Sequence, residues 1–154
     1  MKYALIGCGR ISPNHIVAAQ NNNLKIVGIC DLVEQNMHDK IVKFKLSEDV
    51  HCYTDYLEML DKEKPDLVAI ATESGKHAEI ALDCLKKGHA NLIIEKPIAL
   101  SLKDADDIIR TAEEEICQQL YYRISVFYMR HFMMEYQPHF LIGIISVWHN
   151  DFLV

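Results

Sequence analysis

Three places in this chain bring together residues whose types and spacing could do chemistry. The first is Gly7-Cys8-Gly9-Arg10-Ile11-Ser12, set between a short apolar run (Lys2-Tyr3-Ala4-Leu5-Ile6) and a helix-compatible stretch from Pro13. In the order strand, glycine turn, helix, a G-x-G-x-x-small string can seat a dinucleotide. Gly7 would let the chain turn tightly off the strand, and Gly9 would let the backbone approach a pyrophosphate. The N–H groups opening the next helix would face the phosphates. Ser12 stands where a third glycine is usual, which predicts a looser fit between helix and strand. On its own the turn reads equally well as an ordinary strand–turn–helix corner containing two glycines.

The second place is Asp31, at the end of another apolar run, Leu24-Lys25-Ile26-Val27-Gly28-Ile29-Cys30, and 22 residues beyond Gly9. A dinucleotide site calls for an acidic residue about 20 residues on, accepting from the adenosine ribose. A carboxylate there repels a 2′-phosphate, and Leu32, Val33 and Glu34 supply no cation to receive one, so NAD is expected over NADP. The competing role for Asp31 is to cap the helix that follows. The third place is Glu95-Lys96-Pro97, at the end of the apolar run Asn91-Leu92-Ile93-Ile94. The carboxyl ends of strands in an open α/β sheet are where ligands bind. A lysine there can donate to a substrate oxygen and stabilise developing alkoxide charge, with Glu95 holding the ammonium. A cis Lys96–Pro97 bond fits such a turn. Spacing alone favours a charged turn with no role.

The elements that must position these groups alternate strand and helix over residues 1–115, the pattern of a parallel α/β sheet. Strands are expected at about 2–6, 24–30, 51–53, 66–71 and 91–94, and helices at about 13–20, 33–45, from Thr54 as N-cap to before Pro65, and from His77 to Lys86-Lys87-Gly88. Ser101 with Asp104 reads as a capping box for a last helix. The fold class is therefore α/β, a Rossmann-type doubly wound parallel sheet, with a dinucleotide-binding domain over 1–115. The segment 116–154 differs in kind. It has no lysine and holds 9 of the 13 aromatic residues. Residues 120–128 alternate as a sixth strand would, whereas the apolar run 140–148 has no evident place in a single such domain. This segment is expected to mediate a homo-oligomer or to belong to a truncated second domain.

The length of 154 residues suits one domain. A net charge of −6 gives no footprint for nucleic acid, and no apolar run reaches the roughly 18 residues that span a bilayer. The five cysteines at 8, 30, 52, 84 and 117 show no metal or redox spacing. With no leader-like segment ahead of the first strand, they read as reduced thiols in the core of a cytoplasmic protein. No metal site is expected.

Three strings make the chain similar to the N-terminal half of the glucose–fructose oxidoreductase / inositol dehydrogenase (Gfo/Idh/MocA) family. They are Gly7-Cys8-Gly9-Arg10-Ile11-Ser12 with His15, Ile70-Ala71-Thr72-Glu73-Ser74-Gly75-Lys76-His77, and Glu95-Lys96-Pro97. The family usually carries proline where Glu73 stands, so that loop is expected to sit differently. The resemblance implies a cofactor site for NAD from Gly7, Gly9, Arg10, Ile11, Asp31, Ala71, Thr72, Ser74, His77, Glu95, Lys96 and Pro97, with Lys96 also catalytic. It implies hydride transfer from a sugar or nucleotide-sugar hydroxyl; the nearest look is to enzymes of nucleotide-linked sugar acids. His77 either lines the nicotinamide side or only opens its helix, and His15 reads as a packed or surface helix residue. Family enzymes also have a second, substrate-binding domain, for which 154 residues leave no room, so little turnover is expected. The reading of a different class is a non-catalytic dinucleotide-binding module that self-associates through 116–154.

Overall fold

The computed structural model describes the backbone of residues 1–89, 91–118, 122–128 and 143–149, and the side chains of 1–89 and 91–114. The chain divides into two compact units, Met1–Glu73 and Ser74–Val154.

The first unit runs β1 (Lys2–Ile6), α1 (Ser12–Asn21), β2 (Lys25–Cys30), α2 (Glu34–Phe44), β3 (His51–Tyr53), α3 (Tyr56–Glu63) and β4 (Leu67–Ile70). Its strands pair in the order β3-β2-β1-β4, all parallel. This is a Rossmann-like α/β arrangement: β1 has its sequence neighbour β2 on one side and the late strand β4 on the other. The continuous apolar runs form these strands because both faces are covered. Ala4, Leu5, Ile29, Val68, Ala69 and Ile70 are fully buried, with Ile16 of α1, Met37 of α2, and Met59 and Leu60 of α3 buried as well.

Element bounds fall within a residue or two of those read from the pattern, and particular side chains differ. The N-cap of α3 is Asp55, not Thr54: the Asp55 carboxylate accepts from the Leu57 N–H at 2.8 Å. Cys8, Cys30 and Cys84 are buried, as expected of core thiols, but Cys52 is exposed. It lies on β3, the last strand in this unit's order, which has a neighbour on one edge only. Cys117 falls outside the described side chains.

The second unit holds a short 3₁₀ turn (Ser74–Lys76), α4 (His77–Lys86), β5 (Leu92–Ile94), α5 (Leu102–Gln118), β6 (Tyr122–Tyr128) and β7 (Gly143–His149). Ser101 starts α5 as expected: its Oγ accepts from the Asp104 N–H at 3.1 Å and donates to the Asp104 carboxylate at 2.7 Å. Ile80, Ala81, Cys84 and Leu85 of α4 and Ile108 and Ala112 of α5 form the buried faces of these helices. The later apolar run, not the earlier, lies beside β5. β7 pairs antiparallel with β5, and β6 pairs antiparallel with β7. The expected self-association through 116–154 concerns side chains outside those described. Among the described residues, no helix is long and apolar enough to cross a membrane.

One polar cluster fastens the start of β1 and the strand β3 to the end of α3. The Tyr53 hydroxyl donates to Glu63 Oε1 at 2.5 Å, and His51 Nδ1 lies 2.7 Å from the same oxygen. Lys2 Nζ donates to the Glu63 carbonyl at 3.1 Å. Burial pushes the Tyr53 hydroxyl up to about 12, and its bond to Glu63 adds to this. Burial alone would raise the Glu63 carboxyl, but the bonds from Tyr53 and His51 outweigh it and hold the group below its ordinary value. A lowered folded pKa gives stabilisation that is complete above the ordinary carboxylate range and is lost as pH falls through the folded value. Tyr53→Phe is therefore expected to cost about 1–2 kcal/mol at neutral pH, measured by urea unfolding. The difference from wild type should shrink in acid as Glu63 protonates; a cost that stays constant down to the acid limit would contradict this assignment.

Candidate functional site

Within the first unit, the loops that leave the carboxyl ends of β1, β2 and β4 come together around Gly7. Its N–H donates to the Cys30 carbonyl at 2.8 Å, while the Ala71 N–H donates to the Ile6 carbonyl at 2.7 Å. Gly7 has φ +96°, a conformation glycine adopts freely. A Cβ there would stand 2.6 Å from the Ala71 carbonyl carbon and oxygen and 2.8 Å from the Thr72 nitrogen. Gly7 is thus fixed by the protein's own backbone, on two counts.

Gly9 is different. It lacks a positive φ, and a Cβ on it would meet nothing within 4 Å. Neither backbone conformation nor packing inside the protein demands glycine there. The open space beside an exposed Gly9 is what a close-approaching ligand would use. Among the described residues, the backbone N–H groups of Gly9, Arg10 and Ile11 make no hydrogen bond, so they remain available as donors. Ser12, expected to loosen the corner, tightens it. It is fully buried, and its Oγ donates to the Gly9 carbonyl at 2.7 Å. The hydroxyl does by a bond what a third glycine does by absence. Pro13 follows in the first turn of α1, where its missing N–H costs nothing.

Asp31 takes up the helix-entry role weighed for it and also bonds the glycine loop. Oδ2 accepts from the Cys8 N–H at 2.7 Å, clamping the glycine loop. Oδ1 accepts from the Val33 N–H at 2.9 Å and from Asn36 Nδ2 at 3.0 Å, which orders the entry to α2. A carboxylate has about four acceptor positions, so these three bonds leave one, on Oδ2. The helix-entry role is real, and acceptor capacity for a ribose hydroxyl remains. Cys8, inside the loop, is buried: burial, with the Asp31 charge second, pushes its thiol up to about 12. Burial does the same to Cys30, also reinforced by Asp31. Ala71 is buried and Thr72 half-buried at the end of β4.

The second unit holds the other motif residues. Ser74 opens the 3₁₀ turn, and His77 begins α4 almost wholly buried. His77 Nδ1 lies 2.7 Å from the Pro97 carbonyl oxygen. A carbonyl only accepts, so Nδ1 carries the proton and donates. This goes beyond opening a helix: the ring pins the turn after β5. The Lys96–Pro97 bond is cis. Glu95 is buried, and its Oε2 accepts from the Lys96 N–H at 3.4 Å, while the Lys96 side chain is exposed. His15 is buried in α1, as a packing residue would be. Sequence reading missed Asn36 and the His77–Pro97 contact. An asparagine three residues into a helix after an aspartate was a visible signal; the bond across 20 residues was not. Among the described residues, no cluster of three His, Cys, Asp or Glu could hold a metal.

A family model described as an oxidoreductase family with an NAD-binding Rossmann fold matches residues 1–122. Glycosyl hydrolase family 109 protein 2 of Akkermansia muciniphila is 33% identical over 121 residues, covering 73% of this chain and 25% of that protein. D-apiose dehydrogenase of Paraburkholderia graminis is 34% identical over 113 residues, covering 73% and 29%. Among solved structures, the WlbA dehydrogenase of Bordetella pertussis in complex with NADH and UDP-GlcNAcA gives a TM-score of 0.66 at 28% identity, covering 75% of this chain and 35% of that one. An oxidoreductase from Agrobacterium radiobacter in complex with NAD⁺, L-tartaric acid and magnesium gives 0.68 at 28% identity, covering 75% and 33%. The chain thus spans a quarter to about a third of the length of these relatives.

The two glycines are expected to separate in the laboratory. Gly7→Ala should lose about 2–3 kcal/mol of stability, since a Cβ would collide with backbone at positive φ. Gly9→Ala should stay within about 0.5 kcal/mol of wild type. Chemical denaturation of both variants checks this, and equal losses would contradict the assignment of Gly9 to a ligand.

Proposed function

Because the chain belongs to the Gfo/Idh/MocA oxidoreductase family, with its NAD-binding Rossmann fold, we propose that it is the cofactor-binding part of an NAD-dependent dehydrogenase acting on a sugar or nucleotide-sugar hydroxyl. The observation that carries this is Gly9: open space and three unengaged N–H groups at the carboxyl edge of a parallel sheet. The residues fit the cofactor. The N–H groups of Gly9, Arg10 and Ile11 would take the pyrophosphate oxygens, and the start of α1 adds partial positive charge. The remaining acceptor position of Asp31 would take a ribose hydroxyl, while its charge opposes a 2′-phosphate.

When bound, the nicotinamide accepts or gives the hydride. The protein's share is orientation and charge. Lys96 is the proposed catalytic residue, its ammonium donating to the substrate oxygen as alkoxide character develops. Glu95 and His77 hold the turn that carries it, from the Lys96 N–H and the Pro97 carbonyl. Ala71, Thr72 and Ser74 are proposed to border the cofactor along the loop after β4. A sugar-type substrate is favoured by relatives named for D-apiose and inositol dehydrogenation. A nucleotide sugar is favoured by the WlbA structure that holds UDP-GlcNAcA.

Isothermal titration is expected to show NAD binding at least about tenfold tighter than NADP, a difference of roughly 1.4 kcal/mol. Asp31→Ala should weaken NAD and narrow the gap. Equal or tighter NADP binding by wild type would remove Asp31 from the ribose. For catalysis, NADH formation is followed with UDP-N-acetylglucosamine-uronate, hexoses and inositol. Little turnover is expected from a chain that spans about a third of such enzymes, and what there is should be lost in Lys96→Ala with NAD affinity kept. Turnover that survives in Lys96→Ala would remove Lys96 from this role, and NAD binding with no trace of turnover on any substrate would favour a dinucleotide-binding module instead.

A further inference from the structure

Of the three groups that donate to Asp31, two are backbone N–H groups, of Cys8 and Val33, fixed by the fold. The third is a side chain, Asn36, on the first turn of α2. We infer that Asn36 is a positioning residue for dinucleotide binding: its amide saturates Oδ1 of Asp31 and so directs the one remaining acceptor position, on Oδ2, to the cofactor ribose. The inference rests on the proposed NAD site and adds to it the residue that sets its acceptor geometry.

The argument is one of degrees of freedom. A carboxylate turns about a broad, roughly two-fold χ2. The Cys8 and Val33 bonds hold one oxygen each, the first to the glycine loop and the second to the helix entry. Two such bonds leave the carboxylate plane able to rock about the line that joins them. A third donor, meeting Oδ1 at 3.0 Å beside the Val33 N–H at 2.9 Å, removes that freedom. Asn36 is only half-exposed, so solvent does not readily replace its amide. Second partners of this kind orient a binding group rather than touch the ligand. Being neutral, the amide also leaves the full negative charge of Asp31 to oppose a 2′-phosphate, which a lysine or arginine at 36 would not do.

The test is a double-mutant cycle read by titration with NAD and with NADP, with unfolding measured alongside. Asn36→Ala is expected to weaken NAD roughly fivefold, the scale of one ordinary intramolecular hydrogen bond, and to reduce the NAD-over-NADP preference. A merely structural loss would weaken both cofactors alike and leave that ratio unchanged. In an Asp31→Ala background, Asn36→Ala should change NAD affinity by less than about twofold, because the group it orients is gone. Asn36→Gln, with the same amide on a longer stem, should recover part of the affinity. The inference is overturned if Asn36→Ala leaves NAD affinity unchanged, leaves the cofactor ratio unchanged, or keeps its full effect without Asp31. If Asp31→Ala itself binds NAD as wild type does, the ribose reading fails, a result distinct from failure of Asn36 alone.

Discussion

At the end of β1 the backbone of Gly7 passes so close to that of Ala71 that no side chain fits between them. That contact, with the Gly7 N–H on the Cys30 carbonyl, makes three strand ends converge. The glycine loop leaves β1, Asp31 leaves β2 and Ala71-Thr72 leaves β4, all at the carboxyl edge. A bulkier residue at 7 would push β1 and β4 apart and carry the loop away from Asp31. The Cys8 N–H to Asp31 bond then could not form, and the Ser12 clasp on Gly9 would act on a displaced loop. The proposed cofactor seat is therefore a consequence of sheet packing, not of a flexible loop that happens to contain glycines.

Within that frame, neighbouring residues divide labour by what they touch. Gly7 answers to the protein's backbone, and Gly9 to open space. Ser12 answers to the loop carbonyl, and Asp31 to both the loop and the next helix. Cys8, though central in the motif, is buried, with its thiol pushed up to about 12, and the proposed contact with the cofactor runs through the loop's backbone. In the second unit the same economy holds. His77 and Glu95 are buried and bond the turn's backbone, while Lys96 is exposed.

Much of this was legible in the sequence, because the strands carry continuous apolar runs and the helices carry stop signals. Glycine spacing and the distance to Asp31 located the loop and its acidic partner. What escaped reading were choices between adjacent or distant polar groups. Thr54 and Asp55 are both good caps, and only the reach of the Asp55 carboxylate to Leu57 decides between them. Ser12 looked like a weak substitute for glycine because its hydroxyl partner, the Gly9 carbonyl, is fixed only once the loop is folded. Cys52 looked like its buried fellows because composition does not reveal which strand of the unit has a single neighbour. His77 could not be joined to Pro97 from spacing, since their bond depends on how α4 and the turn after β5 pack.

The central claim is that the glycine loop and Asp31 together seat NAD. Backbone amide NMR of the ¹⁵N-labelled chain during NAD addition tests it most directly. Saturable shifts are predicted for Cys8, Gly9, Arg10 and Ile11 and for Asp31 through Val33, while buried amides in the middle of β1 and β4 stay in place. Shifts confined to other regions, or none at millimolar NAD, would contradict the account.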